Sequence, residues 1–281
     1  MSRMRSFLGG AAFALGAGLG ACVAYNYATW RPRRLSYLYH GRRLLLGHRG
    51  AAAEAPANTV AAFRRAMESG ADGVELDIHL THDGRVVVIH DETVRSVTGL
   101  DRLVRELTLA QIQQLDAGSY FSPAFAGERI PTLDEALEAV GPDAVVNIEL
   151  KGMGVAADGL ERQMLRIVRA HDMADRVIAS SFNPLRLMRL RALDPRIPRG
   201  MLYSPNSPVF VRQLWFLPLV QPDALHPHHS MVDEAYMRRA RKWGVRVNAW
   251  TVDDPAEAER LVRLGVDGII TNDPRHLREI V

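Results

Sequence analysis

Glu75 and Asp77 stand two positions apart in Gly73-Val74-Glu75-Leu76-Asp77-Ile78, so in an extended segment both carboxylates leave the same face. The rest of the run is apolar and reads as a buried strand, where two adjacent anions need a cation or strong hydrogen bonds to persist. A second run, Val145-Val146-Asn147-Ile148-Glu149-Leu150-Lys151, repeats the alternation and sends Asn147, Glu149 and Lys151 to one side. Glu75, Asp77 and Glu149 together make an all-oxygen site suited to Mg²⁺ or Ca²⁺, not zinc. A solvent-facing strand of alternating polarity is the plainer reading of either run alone, and acidic strand ends are common. His48 closes Leu44-Leu45-Leu46-Gly47-His48, and His90 follows Val86-Val87-Val88-Ile89. One such histidine is more often structural; two beside carboxylates suit an acid/base pair that exchanges roles near neutral pH. Arg49 and Lys151 supply a planar fork and a point charge for a phosphate. His226, His228 and His229 read as surface or packing residues.

To bring these groups together the chain needs parallel strands ending at one rim. Eight short apolar runs fit that need, at 44–48, 73–80, 145–150, 176–181, 199–203, 222–226, 245–250 and 268–271. Helices with readable starts fall between them. Asn58-Thr59 precedes a run to Glu68, Thr132 with Glu135 forms a capping box, and Asn183-Pro184 and Asp254-Pro255 place a cap before proline. The alternation predicts an α/β protein, a TIM (β/α)₈ barrel, although an open doubly wound sheet has the same local rhythm. Residues 91–131 are too long for an ordinary βα connection and read as an inserted active-site loop or lid, with a short helix near Leu107–Leu115.

The charge is unevenly spread. Residues 1–43 hold Arg3, Arg5, Arg31, Arg33, Arg34, Arg42 and Arg43 and no acid, so removing those seven charges from the chain's +3 leaves 44–281 at −4. The folded part is therefore mildly acidic, which argues against a nucleic-acid binder. From Phe7 to Trp30 the chain carries no charge. As a helix that stretch would run about 36 Å, enough for a hydrocarbon core of about 30 Å. Tyr25, Tyr27 and Trp30 gather at its distal end, as interfacial aromatics do. An uncleaved N-terminal transmembrane helix is the favoured reading, with residues 1–43 as anchor and basic linker and 44–281 as the barrel domain. A cleaved signal peptide competes, and so does a lipoprotein leader, since Leu19-Gly20-Ala21-Cys22 fits a loose lipobox. The arginines after Trp30 outnumber those before Phe7 and place the barrel on the cytoplasmic side; a lipidated Cys22 would place it outside. Cys22 is the only cysteine, so no intrachain disulfide can form.

Across 44–281 the chain resembles the glycerophosphodiester phosphodiesterase family. The resemblance is carried by His48-Arg49-Gly50, Pro56-x-Asn58-Thr59, Glu75-x-Asp77, His90-Asp91, Ile148-Glu149-Leu150-Lys151, Ser181-Phe182, Trp250-Thr251-Val252 and Gly265-Val266-Asp267-Gly268-Ile269-Ile270-Thr271, in that order. It implies a TIM barrel with an insertion after His90. It also implies His48 and His90 as acid and base, Glu75, Asp77 and Glu149 as ligands of a divalent cation, Arg49 and Lys151 on the phosphate, and Phe182 and Trp250 as pocket walls. Two departures stand out. Ala57 replaces the glutamate common in the Pro-Glu-Asn-Thr motif, which implies weaker metal binding, and Ser96-Val97-Thr98 replaces the usual Arg-Thr-Thr. The activity implied is hydrolysis of a small-molecule glycerophosphodiester to glycerol 3-phosphate and an alcohol, through a cyclic phosphate. A lysophospholipase D-type activity on membrane lysolipids is the alternative, with Phe210, Trp215, Phe216 and Leu217 as a lipid-facing surface. An inactive, membrane-tethered binding protein fits less well, because every chemical residue is retained.

Overall fold

The structure, a computed structural model, describes residues 24–281. Eight parallel strands close into a barrel: β1 (Leu44–His48), β2 (Gly73–Leu80), β4 (Val145–Leu150), β5 (Val177–Ser181), β6 (Arg199–Tyr203), β7 (Ala224–Pro227), β8 (Arg246–Ala249) and β9 (Gly268–Thr271). Closure comes from β1, which pairs with β9 through Leu44↔Gly268 and with β2 through Leu46↔Gly73. A short strand, β3 (Val86–Val88), turns back antiparallel on β2 with Ile78 opposite Val88. The eight runs read from the sequence are the eight barrel strands, so the fold is a TIM barrel rather than an open sheet. Gly73 marks a tight approach, because a Cβ there would lie 1.8 Å from the Val145 carbonyl oxygen.

Six longer helices pack outside: α1 (Val60–Glu68), α2 (Leu133–Val140), α3 (Leu160–Ala170), α4 (Pro184–Leu193), α5 (Glu234–Trp243) and α6 (Pro255–Leu264). Their starts follow the local chemistry. Thr132 and Glu135 close the capping box of α2, while Asn183 and Asp254 cap α4 and α6. Val74, Leu76, Ile78, Val146, Ile148 and Leu150 alternate outward into a core shared with α1, α2 and α3. The intervening Glu75, Asp77, Asn147 and Glu149 therefore face the barrel interior.

Two segments differ from the sequence reading. Within 91–131 the short helix expected near Leu107–Leu115 is a single turn at Leu109–Ile112, with a 3₁₀ turn at Val104–Glu106 before it. They gather around a small core of their own, with Val94, Val104, Ile112 and Ile130 packed on Val87 and Ile89. Residues 31–43, read as linker, belong to the barrel, as does Trp30, read as the end of the span. Leu35, Leu38 and Tyr39 are fully buried with Leu44, Leu46, Ile178 and Ile270, and so plug the end where the strands begin. The Tyr39 hydroxyl meets Asn248 Oδ1 at 3.0 Å, and Trp30 Nε1 donates to the Pro222 carbonyl at 3.2 Å. Most of the proposed span at 7–30 lies outside the described residues. Residues 24–29 are helical, and no helix among the described residues is long and apolar enough to cross a membrane.

Candidate active site

Register brings the three carboxylates together. Glu75 lies opposite Asn147 and Asp77 opposite Glu149 on the paired strands β2 and β4. One oxygen from each of Glu75, Asp77 and Glu149 lies within 4.8 Å of the others, and all three residues are buried. Burial opposes ionisation of Asp77, but Lys151 Nζ at 3.3 Å and Arg49 Nε at 3.3 Å outweigh it and hold this carboxyl well below its usual range. Asn58 Nδ2 adds a hydrogen bond to Asp77 Oδ2 at 2.9 Å. Glu75 is the reverse case: burial and the neighbouring Asp77 and Glu149 anions push it well above, and the Arg49 amide at 3.1 Å compensates only in part. Glu149 is pushed up to about 7 by burial and by Asp77, against the pull of Lys151 at 2.9 Å. These groups are short of positive charge at neutral pH. That shortage and the all-oxygen donor set fit a hard divalent cation.

The histidines flank this cluster from different strand ends. His48 Nδ1 lies 2.7 Å from Asn272 Oδ1, and Asn272 is itself held by Asp253 through its amide side chain at 2.7 Å and its backbone N–H at 2.8 Å. With Nδ1–H donated to an amide oxygen, the unprotonated nitrogen of neutral His48 is Nε2, 3.9 Å from Glu75 Oε2. Burial, aided by Arg49, holds the His48 pKa down to about 4. His90 has a charged partner, Asp91 Oδ1 at 2.7 Å from Nδ1. Burial, Lys151 and Arg49 lower its pKa, while Asp77 and Asp91 oppose them. Arg49 reaches the cluster through a left-handed backbone, φ +53°. The turn continues at Gly50, where any Cβ would meet the Ala62 carbonyl at 2.5–2.6 Å.

A cavity of about 130 Å³ opens over the carboxylates, walled by Phe182, Leu202, Trp250 and Ile270 and floored by Glu75, Asn147 and Glu149. Phe182 and Trp250 meet edge to face at 5.5 Å, and Trp250 Nε1 is fixed on the His226 carbonyl at 2.8 Å. A second space of about 210 Å³ adjoins it at Arg49 and His90, between Ala57 and the inserted segment's Ser96, Ala117 and Tyr120. Where the sequence has Ala57 for glutamate, the Ala57 amide donates to the Tyr120 hydroxyl at 3.1 Å.

All nine residues singled out from the sequence converge here. Others were missed or given a different task. Of the Asn58-Thr59 pair expected to cap α1, Thr59 is the cap, and Asn58, at φ +60°, turns its amide onto Asp77. Asn272 and Asp253 follow strands β9 and β8 and carry no motif signal. Asn147 is fully buried with neither amide atom hydrogen-bonded, on the floor of the cavity. His226 is a packing residue as expected, wholly inside the barrel, while His229 pairs with Glu257 at 2.6 Å.

Known proteins match this chain in sequence and fold. The model of the glycerophosphoryl diester phosphodiesterase family matches residues 48–276. A glycerophosphodiester phosphodiesterase of Caldanaerobacter subterraneus subsp. tengcongensis is 42% identical over 242 residues, covering 85% of this chain and 98% of that protein. A phosphodiesterase of Oleispira antarctica, solved with the product sn-glycerol-3-phosphate, superposes with a TM-score of 0.75 at 31% identity, over 84% of this chain and 96% of that one. The glycerophosphodiester phosphodiesterase of Agrobacterium tumefaciens gives 0.71 at 29% identity, over 83% and 97%.

Proposed function

The chain belongs to the glycerophosphoryl diester phosphodiesterase family and is a phosphodiester hydrolase of that family; from that premise we propose how its residues divide the work. Its substrate is a glycerophosphodiester, and its products are glycerol 3-phosphate and an alcohol. The observation that carries this reading is the convergence of Glu75, Asp77 and Glu149 between two histidines whose outer nitrogens are already hydrogen-bonded. A Mg²⁺ or Ca²⁺ ion held by the three carboxylates would draw charge from the phosphoryl oxygens. Arg49 and Lys151 add fixed positive charge at the same place, and Phe182 and Trp250 exclude water from one side of the cavity.

In the first step the glycerol hydroxyl next to the phosphoester attacks phosphorus. One histidine takes the hydroxyl proton while the other protonates the departing alcohol oxygen, leaving a cyclic phosphate. In the second step water opens the ring; the histidines exchange roles, and the glycerol oxygen regains its proton. Among the described residues no serine or cysteine is paired with either imidazole, so the intramolecular hydroxyl is the nucleophile at hand. The test compares a glycerophosphodiester with its 2-deoxy analogue at saturation. We expect the analogue to be cleaved very poorly, because the effective molarity of the neighbouring hydroxyl is lost. Equal turnover would rule out the cyclic route in favour of direct attack by water.

Lysolipids are the competing substrates. The segment after β6 gives that reading partial support: Phe210 and Trp215 are exposed, but Leu217 is buried in the core against Trp30. We further infer that the uncharged stretch tethers the enzyme to a membrane through residues 7–23, before the part packed on the barrel; its lack of charge and the exposed Tyr25 and Tyr27 that follow support this.

A further inference from the structure

The barrel has two chemically different ends. Helices of this fold run opposite to the strands, so their C-termini lie at the end where the strands begin, here called the base. Arg65, Arg169, Arg191, Arg241 with Lys242, and Arg263 occupy the last turns of α1, α3, α4, α5 and α6. Helix dipoles account for those cations. They do not account for Arg31, Arg33, Arg34 and Arg43, which sit on the non-helical chain that crosses the same base. Among the described residues none of these four, nor Arg241, forms an ion pair; their bonds go to carbonyls such as Ala28, Val266 and Leu264. Arg33, Arg34, Arg241 and Arg246 line one groove there, in which Asp267 is the single acid and is already paired with Arg246. Residues 1–43 add no carboxylate to neutralise them.

The chain enters at the same end. Gln221 Nε2 donates to the Asn26 carbonyl at 3.0 Å, and Trp30 is pinned on Pro222, both beside the start of β7. We propose that this base is a docking surface for an anionic membrane, seated by its unpaired arginines on lipid phosphates, so that the catalytic mouth faces away from the bilayer. The inference rests on the tether proposed above. Exposed apolar side chains at the mouth, Phe121 on the inserted segment and Val155 after β4, are the competing surface. To lay them on the same membrane, residues 24–30 would have to leave Gln221 and Pro222. With the base docked, substrate enters from water, which favours soluble diesters over lysolipids of the enzyme's own bilayer.

The test uses the full chain with Cys22→Ser, bearing a spin label at Ser36→Cys on the base or Val155→Cys at the mouth. Each protein is placed in nanodiscs of phosphatidylcholine alone or with phosphatidylglycerol. We expect the Ser36 label to lose collisions with a water-soluble nickel relaxant only in anionic discs, and to regain them in 1 M salt, where screening acts within about 3 Å. Arg34→Glu with Arg241→Glu should abolish the protection without changing turnover of a soluble diester. The Val155 label should stay water-exposed throughout. Protection of Ser36 that is equal in both lipids and indifferent to salt would overturn charge docking, as would protection of Val155. Co-elution with zwitterionic discs reports the tether separately: docking that survives without it leaves the tether wrong and the basic surface right.

Discussion

Asn58 holds Asp77 from a loop nineteen residues earlier in the chain, with its side-chain nitrogen 2.9 Å from the carboxylate oxygen. Asn58 fixes Oδ2 while Lys151 meets Oδ1 at 3.3 Å, so the carboxylate is held in one orientation beside Glu75 and Glu149. Asn58→Gly removes the amide without straining the left-handed backbone at this position. We expect metal affinity and turnover to fall by about 10–100-fold, the usual effect of losing such a supporting hydrogen bond. Titration with Mg²⁺ and Ca²⁺, read by activity and by calorimetry, measures both.

Chelation should abolish turnover, and a divalent cation should restore it. Glu75→Gln, Asp77→Asn and Glu149→Gln should each lower turnover by more than about 100-fold while leaving the circular dichroism unchanged. Full activity of a metal-stripped sample would overturn the metal assignment.

The two histidines should differ in their response to changed partners. His48→Gln and His90→Gln should each lower kcat by about 10²–10⁴-fold. Asn272→Asp places a carboxylate on His48 Nδ1, which favours the imidazolium and raises the His48 pKa from about 4. The acidic limb of the kcat profile should therefore move to higher pH. A profile that does not move would detach His48 from that limb.

Acid should destabilise the barrel through His226. Burial holds its imidazole down to about 3 in the folded protein, against about 6.5 in an unfolded chain. Between those values the unfolded state binds the extra proton. The contribution is thus intact above pH 6.5 and shrinks as pH falls, by up to about 1.4 kcal/mol per pH unit. Urea midpoints at pH 7 and pH 5 should differ less in His226→Asn than in the native sequence, with the variant weaker at pH 7.

The base plug should carry measurable stability. Leu38→Ala is expected to cost about 2–5 kcal/mol, as truncations of fully buried leucines do. A chain starting at Arg42 loses Leu35, Leu38 and Tyr39 together, and equilibrium unfolding should show it less stable than one starting at Ala24.

The barrel and its rim residues were legible because two signals coincide. Strands buried on both sides show as short apolar runs, and an inward-facing polar residue breaks such a run at every second place, as Glu75 and Glu149 do. Asn272 and Asp253 could not be read that way, since their roles arise only when β8 and β9 close beside β1. The Asn58-Thr59 pair signals the helix start that Thr59 caps, but the left-handed backbone that turns the Asn58 amide onto Asp77 has no mark in the sequence. The 30–43 segment was misassigned because its arginines obscured three core residues, Leu35, Leu38 and Tyr39.

That plug also sets a schedule for synthesis. Tyr39 leaves the ribosome 209 residues ahead of its partner Asn248. At about 5–20 residues per second the plug waits roughly 10–40 s before the strand that receives it exists. Through that interval Leu35, Leu38 and Tyr39 lack the cover that β8 and β9 complete. A nascent protein of this design needs chaperone cover at the plug, and release of the last strands is the event that ends the exposure.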